Sequence, residues 1–168
     1  IHVITPNKAL MAKHGDHLTK LAEKNKVNLE FEASVGGGIP ILRTIKEGLA
    51  TNKIFKVYGI LNGTSNYILS EMENSDESFN NVLKKAQSLG YAEPGNPKPD
   101  INGADAFAKV RILSSLSFGT KISKKSGLVE GIEKIELKDI RIANQLGLRI
   151  KLLGISELVN KKLFETVH

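Results

Sequence analysis

The chain of 168 residues is long enough for one domain with a sizeable core, and 40% hydrophobic with 25% charged residues is ordinary for a soluble globular protein. The absence of cysteine excludes disulfides, thiolate metal sites and a cysteine nucleophile. No apolar run approaches the ~18 residues that a membrane span needs, and the N-terminal sequence lacks the pattern of a secretory signal, so we expect a cytoplasmic protein without membrane contact.

The net charge of +6 raises the question of nucleic-acid binding. The lysine clusters at 24–26, 84–85, 124–125 and 161–162 lie in different helix ends and turns, and aromatic residues make up only 5% of the chain. Scattered lysines are typical of a solvated surface, so we expect no nucleic-acid partner. An anionic cofactor or substrate would also suit this charge.

Hydrophobic periodicity predicts alternating strands and helices along the chain. Residues 1–5 end a strand, and an amphipathic helix runs from Pro6 to about Lys24. His14 and His17 lie three apart on this helix, but no third ligand follows nearby, so a surface helix is favoured over a metal pair. Further strands are predicted near 27–33, 53–61, 128–132, 149–155 and 162–167, and further helices over 40–49, 66–73, 78–89, 104–116 and 137–146.

These elements predict an α/β (α+β-like) fold, with a mixed, mostly antiparallel sheet and helices packed mainly on one of its faces. The last two strands are expected to form a hairpin around Val159-Asn160. The lysine-rich segment 119–127 is predicted to be a polar connection after the helix that ends near residue 116.

The glycine run at residues 36–38 follows a predicted strand and precedes a helix. It is not a dinucleotide-binding fingerprint, because GGG differs from GxGxxG and no acidic residue ends the next strand. A tight turn that leads into the helix at Pro40 explains it more simply. The polar turn 62–65 is likewise predicted to cap the following helix, although polar loop tips of this kind often line ligand sites.

The stretch 90–109 concentrates charge where a structural loop needs none. Glu93 and Asp100 lie in a loop stiffened by three prolines, and Asn102 is predicted to cap a helix that is apolar on nearly every side. Asp105 and Lys109 share one face of this helix. Such a pair is often a solvated ion pair, but its apolar surroundings favour a functional role.

Several stretches in this order resemble the homoserine dehydrogenase family, in its catalytic, substrate-binding region. They are VITPNKAL (3–10), FEASVGGGIPI (31–41), YGILNGTSNYIL (58–69), LGYAEP (89–94), DINGADAFAK (100–109) and IKLLGI (150–155). The resemblance implies interconversion of L-aspartate 4-semialdehyde and L-homoserine with NAD(P)H, on the branch toward threonine and methionine.

Site residues also follow from the resemblance. It implies that Lys8 and Lys109 are the catalytic lysines facing the reacting carbon, that one of them shuttles the proton, and that Lys8 also contacts the cofactor. Glu93 would hold the substrate amino group, while Asp100 and Asp105 would position the amino alcohol and the catalytic lysine. Between Glu93 and Asp100 the linker PGNPKP is one residue longer than is usual in relatives, and it carries Lys98 where they have an acid.

The resemblance further implies a monovalent cation such as sodium, bound largely through backbone carbonyls. The matching residues are Glu32, Val35, Gly37 and Ile39. It also implies a homodimer, which agrees with the apolar patch expected on an open sheet face from Ile54-Phe55 and Leu152-Leu153.

The expected domain organisation is a single catalytic, substrate-binding and dimerisation domain over residues 1–168. The family's nucleotide-binding fingerprint would lie outside this sequence, so we interpret the chain as a fragment that is inactive alone. The alternative is an amino-acid-binding regulatory or dimerisation module without catalysis.

Overall fold

A computed structural model describes residues 1–122 and 127–168, so part of the predicted polar connection, with Lys124 and Lys125, lies outside the described residues. The α-helices in these ranges are α1 (Lys8–Lys24), α2 (Ile41–Arg43), α3 (Gly63–Ser75), α4 (Phe79–Ser88), α5 (Lys98–Ile101), α6 (Ala104–Phe118) and α7 (Leu137–Gln145). The strands are β1 (Val3–Ile4), β2 (Leu29–Glu30), β3 (Lys56–Gly59), β4 (Leu128–Val129), β5 (Gly154–Val159) and β6 (Lys162–Val167). A 3-10 turn covers Glu32–Ser34, and a π-helical turn over Thr44–Gly48 continues α2.

The larger sheet has four strands in the order β3-β5-β6-β4. The pairs β3/β5 and β5/β6 are antiparallel, and β4 runs parallel to β6. The predicted terminal hairpin is confirmed, with Asn160 and Lys161 both at positive φ, as a two-residue hairpin turn of type I′ requires. The mixed α/β fold class predicted from the sequence is therefore confirmed.

Two strand predictions need correction. The strand expected near 27–33 does not join the larger sheet, because β2 pairs in parallel with β1 across the helical crossover that α1 provides. The strand expected over 149–155 begins only at Gly154, and the preceding Leu152 packs into the core and is 3% exposed. Leu152 is therefore no part of an exposed patch, whereas Phe55 is 61% exposed.

Helix α6 lies at the centre of the molecule, between two hydrophobic clusters. Ala106 and Val110 pack into a cluster with α3, α4, α7 and the larger sheet, while Ile112 and Leu113 pack into a cluster with α1 and α2. This explains why the helix is apolar on nearly every side. None of the helices in the described part of the chain is long and apolar enough to span a bilayer.

Helix α6 approaches the sheet closely where β5 begins. A Cβ atom on Gly154 would lie 2.6 Å from side-chain carbons of both Leu61 and Val110, so only glycine leaves room there. Farther along, the hydroxyl of Ser114 in α6 hydrogen-bonds the hydroxyl of Ser156 in β5. The sheet thereby fixes the axis of the helix that carries Asp105 and Lys109.

Candidate active site

A buried carboxylate, Asp105, lies where α1, α6 and the turn before α3 meet. Its side chain is 6% exposed, and two ammonium groups contact it. The Nζ of Lys8 lies 2.9 Å from Oδ1, and the Nζ of Lys109 lies 2.7 Å from Oδ2. Lys109 also donates to the backbone carbonyl of Leu61 at 2.7 Å. The predicted pairing of Asp105 with Lys109 is present, with Lys8 added from the other end of the sequence.

The charge of Asp105 is stabilised by its neighbours. Burial alone would raise the pKa of this carboxyl, but hydrogen bonds from Lys109, Lys8 and Asn62 outweigh it and hold the pKa below its usual value. Asp105 is therefore ionised at neutral pH, and it holds two cationic side chains at one point of the surface. Lys109 is 16% exposed and Lys8 41% exposed, so both can reach a bound molecule.

The amide of Asn62 connects the two carboxylates of this region. Its Nδ2 donates to Asp100 Oδ1 at 2.7 Å and to Asp105 Oδ2 at 2.9 Å, while its Oδ1 accepts from the backbone N–H of Ser65 at 2.7 Å. Asn62 is 4% exposed. Because Oδ1 is fixed by a backbone donor, Nδ2 must face the carboxylates.

The turn between β3 and α3 gathers these groups. It ends a strand at Gly59 and starts a helix at Gly63, three residues before the predicted start, with Asn62 as the N-cap within the polar turn that the sequence assigned to capping. The hydroxyl of Ser65 then donates to the backbone carbonyl of Asp100 at 2.8 Å. The hydrogen bonds from this turn therefore hold the Asp100 segment beside Asp105.

Glu93 is the one predicted substrate carboxylate outside this cluster. It is exposed, and among the described residues no hydrogen bond or ion pair involves its side chain. Its loop is nevertheless held near α3, because Tyr91 stacks on Tyr67 with ring centroids 4.5 Å apart. Thr64 also donates to the carbonyl of Tyr91 at 2.6 Å.

The loop before α6 differs from its prediction. Asp100 lies in the short helix α5, because Pro97 and Pro99 fix φ at values that a first helical turn accepts. The N-cap of α6 is Gly103, whereas Asn102 accepts from the backbone N–H of Ala104 at 3.0 Å.

Comparison with known sequences assigns the chain to a family. A sequence-family model described as homoserine dehydrogenase matches residues 40–167. The chain belongs to the homoserine dehydrogenase family. It is 48% identical to a homoserine dehydrogenase of Neisseria gonorrhoeae over 99% of this chain and 38% of the relative, and 50% identical to one of Helicobacter pylori over 92% and 36%. The chain thus spans less than two fifths of the length of these relatives.

Solved structures of homoserine dehydrogenases show the same fold. A crystal structure from Thiobacillus denitrificans superimposes with a TM-score of 0.95 at 46% identity, over 99% of this chain and 38% of that chain. A hyperthermophilic archaeal homoserine dehydrogenase in complex with NADPH gives 0.81 at 27% identity, over 100% of this chain and 48% of that chain. The resemblance inferred from motifs is confirmed at the level of the family.

The glycine bend has a structural role that the sequence did not predict. Both carboxylate oxygens of Glu32 accept backbone N–H bonds, from Leu42 at 2.9 Å and from Arg43 at 2.8 Å, at the start of α2. The bend between them places Gly36 and Gly37 at positive φ, where glycine is favoured.

At this bend a cation would be bound by main-chain carbonyl oxygens, because both carboxylate oxygens of Glu32 already accept hydrogen bonds. The carbonyl of Ile39 accepts from Ile41 at 2.8 Å, whereas those of Val35 and Gly37 accept no backbone hydrogen bond from the described residues. Oxygen donors of this kind fit a hard monovalent cation. No cluster of three or more His, Cys, Asp or Glu side chains suited to a metal occurs in residues 1–122 and 127–168.

Sequence reasoning missed two groups of the site. It assigned the polar turn 62–65 to capping but did not single out Asn62 as a bridge between carboxylates, and it did not anticipate the backbone carbonyl of Leu61 as a partner of Lys109. The signal for Asn62 was its place in a polar turn after a strand. No sequence pattern could have indicated the Leu61 carbonyl, because every residue carries one.

Proposed function

We propose that this chain is the substrate-binding and catalytic part of an NAD(P)-dependent homoserine dehydrogenase, which interconverts L-homoserine and L-aspartate 4-semialdehyde. One observation carries the proposal: two lysines from different helices converge on the single buried carboxylate of Asp105. A family member needs such groups where the hydroxyl of homoserine loses its proton.

The substrate is a zwitterion, and the site offers carboxylates for its ammonium group. Asp100 is partly buried and held by Asn62, so it is fixed for such a contact. Glu93 is exposed on the neighbouring loop, and closing onto the substrate would bring it to the same ammonium group. Asp105 is occupied by both lysines, so its role is to position them.

Proton transfer falls to one of the two lysines. Oxidation of homoserine removes the hydroxyl proton and a hydride from the carbinol carbon, and the reverse reaction returns both. When bound, NAD(P)+ accepts the hydride. Lys109 and Lys8 are both within reach of a hydroxyl beside Asp105, and the lysine that takes the proton must be neutral at that moment. The other lysine would stabilise the negative charge that develops on the oxygen.

The cofactor would meet this chain at Lys8. The side chain is 41% exposed while its ammonium contacts Asp105, so a cationic group faces the open side of the site. A nicotinamide cofactor is supported by one relative, whose solved structure is in complex with NADPH. The chain itself contains no GxGxxG sequence, and we propose that most cofactor contacts come from the part of the relatives that lies outside the match.

A monovalent cation such as sodium is proposed at the glycine bend. The carbonyls of Val35 and Gly37 supply free acceptors, Ile39 supplies a third carbonyl, and Glu32 adds negative charge nearby. This cation would order the bend and α2. We assign it no step in the reaction.

A homodimer through the larger sheet is also proposed. The face opposite α6 exposes Tyr58 at 69% and Phe164 at 53%; Ile155 is the cross-strand partner of Tyr58, and Phe164 is opposite Glu157 on the same face. Large exposed apolar side chains grouped on one sheet face are typical of a contact surface. A second copy, related by a two-fold axis, would cover it.

The rival functions make fewer demands on the site. A regulatory amino-acid module would use Glu93 and Asp100 but would not need two converging lysines, and a dimerisation module would need none of these groups. The full-length protein, incubated with L-homoserine and NAD(P)+, should form NAD(P)H. Homoserine at millimolar concentration should also raise its melting temperature. The absence of both turnover and stabilisation by homoserine would overturn the proposal. Stabilisation without turnover would favour the regulatory module.

A further inference from the structure

The turn before α3 holds more of the site than a helix cap requires. Three of its hydrogen bonds run to three separate side chains of the site. The carbonyl of Leu61 accepts from Lys109, and the amide of Asn62 donates to both Asp100 and Asp105. A capping residue needs only its oxygen, which Asn62 already uses for the N–H of Ser65. The amino group of Asn62 is therefore free of any capping duty.

We propose that Asn62 is a positioning residue of the proposed dehydrogenase reaction. It holds the carboxylate of Asp100, which binds the substrate, at a fixed distance and angle from the carboxylate of Asp105, which binds the lysines. The inference rests on the proposed function. Asn62 does not touch the reacting atoms; it acts through Asp100 and Asp105.

The chemistry of the amide suits this task. Two carboxylates close together repel each other, and a neutral NH₂ group can donate one hydrogen to each. Its bonds of 2.7 and 2.9 Å are charge-assisted, and Asn62 is 4% exposed, so water competes little for them. Neither a serine nor an aspartate could make both bonds. The first is too short to span the pair, and the second has no donor when ionised.

The residues that Asn62 connects lie on different elements. Asp100 is on α5 and Asp105 is on α6, and Ser65 adds a second bond to the α5 backbone. Without the amide, the α5 segment would still be tied through the backbone but its carboxylate would be free to rotate. We therefore expect loss of Asn62 to disturb substrate binding and proton transfer together.

Two variants separate positioning from capping. Asn62→Asp has the same shape and caps α3 at least as well, but it places a third carboxylate between the other two. Asn62→Ser also caps and adds no charge. Asn7→Ser is the stability control, because Asn7 caps α1 through the N–H of Leu10 at 2.9 Å. Its change in melting temperature reports what shortening an asparagine cap costs.

The test measures kcat, KM for L-homoserine and the pH profile of kcat/KM in the full-length protein. Both Asn62 variants should lower kcat by about 10- to 100-fold, as expected when charge-assisted hydrogen bonds are lost. KM should rise as well, and the acid limb should move to higher pH because Asp105 loses a hydrogen bond that helps to hold its pKa below the usual value. Their melting temperatures should fall further than that of Asn7→Ser, because buried carboxylates also lose donors, so KM and the acid limb decide the role of Asn62.

The outcomes are distinct. If the unaltered protein does not oxidise homoserine, the proposed function fails, and this inference fails with it. If the unaltered protein is active and both variants keep its kcat, KM and acid limb, only the role of Asn62 is overturned, and the residue is a cap. A fall in melting temperature with an unchanged KM and acid limb overturns it too, since a purely structural role would reduce only the folded fraction.

Discussion

The ammonium group of Lys8, at the start of α1, lies 2.9 Å from Oδ1 of Asp105, near the start of α6. The ion pair joins the first and the fifth of the six stretches that carry the family resemblance. It also explains why Asp105 is buried and not solvated like most carboxylates on a helix surface: α1 covers it on the side that Lys109 leaves open. Both lysines therefore depend on one residue for their placement.

Replacing either lysine should remove most of the activity of the full-length protein. We expect Lys109→Ala to lower kcat by about 10²- to 10⁴-fold, the usual contribution of a positioned acid or base, and Lys8→Ala to lower it as well. Steady-state NAD(P)H formation from homoserine measures both. The pH profile distinguishes them, since oxidation requires the proton-accepting lysine to be neutral, and only the loss of that lysine should remove the rise of kcat with pH.

Lys138→Ala is the matched control for these lysines. Lys138 is also paired with a carboxylate, that of Glu136 at 2.9 Å, but the pair is exposed at the start of α7. Its loss should leave kcat within about twofold, because exposed pairs of this kind contribute little. An effect of Lys138→Ala as large as that of Lys109→Ala would show that loss of charge, and not position, causes the defect.

Asp105→Asn should change stability in a pH-dependent way. The pKa of Asp105 is below its usual value in the folded state, so the carboxylate contributes stability that is present above the unfolded pKa of about 3.9 and is lost as the pH falls through the folded pKa. At pH 7 the variant should be less stable by roughly 1–3 kcal/mol. Urea unfolding should show this difference shrinking below about pH 4. A difference that stays constant down to pH 3 would contradict the assignment.

Much of this site could be predicted from the sequence, because helix spacing and capping depend only on nearby residues. Asp105 and Lys109 are one helical turn apart, so their pairing follows from spacing, and Asn62 is a recognisable cap. The burial of α6 also followed from its composition. These features need no knowledge of tertiary contacts.

The parts that were not predicted are long-range. The partners of Asn62 are set by the packing of α5 and α6 against α3, and those of Glu32 by the bend that brings α2 back to it. Strand β2 pairs with β1 because α1 makes a crossover, which hydrophobic alternation cannot show. The apolar residues around Leu152 predicted a strand there, but Leu152 lies in the core before β5 begins.

Glu32→Gln should destabilise the start of α2 and weaken any response to sodium. The amide oxygen can accept only one of the two backbone bonds, because the amide NH₂ is a donor, and the negative charge is lost as well, so we expect a loss of about 1–2 kcal/mol. Melting temperatures in NaCl and in choline chloride at equal ionic strength measure the cation effect. We expect sodium to stabilise the unaltered chain more than the variant. Equal melting temperatures in the two salts for the unaltered chain would count against the proposed cation.

Charges on the open sheet face should separate the proposed dimer. Tyr58→Lys and Phe164→Lys place like charges on that face, on strands β3 and β6 at either side of β5, where a two-fold axis would bring them together. Light scattering should give twice the chain mass for the unaltered protein and the chain mass for the variants. Leu146→Lys is the control, because Leu146 is 69% exposed after α7 and away from the sheet. A monomeric unaltered protein at high concentration would refute the dimer.

The isolated chain of 168 residues should turn over no homoserine, although its lysines are intact. A hydride acceptor must be held about 3 to 3.5 Å from the carbinol carbon, and such placement accounts for many powers of ten in rate. The match covers only 38% of a relative, and we expect the dinucleotide seat to lie in the remainder. NAD(P)H formation at alkaline pH is measured with the chain alone and with the flanking regions of its gene restored.

This paired assay separates the placement of the cofactor from the chemistry of the lysines. Activity in the longer protein that disappears with Lys8→Ala or Lys109→Ala is the expected result, because the restored region supplies the hydride acceptor and this chain supplies the proton transfer. Turnover by the isolated chain would mean that it holds the cofactor by itself, so that the contacts of Lys8 would need to be assigned anew. Activity in the longer protein that survives both lysine changes would instead move proton transfer away from Asp105 and its two partners.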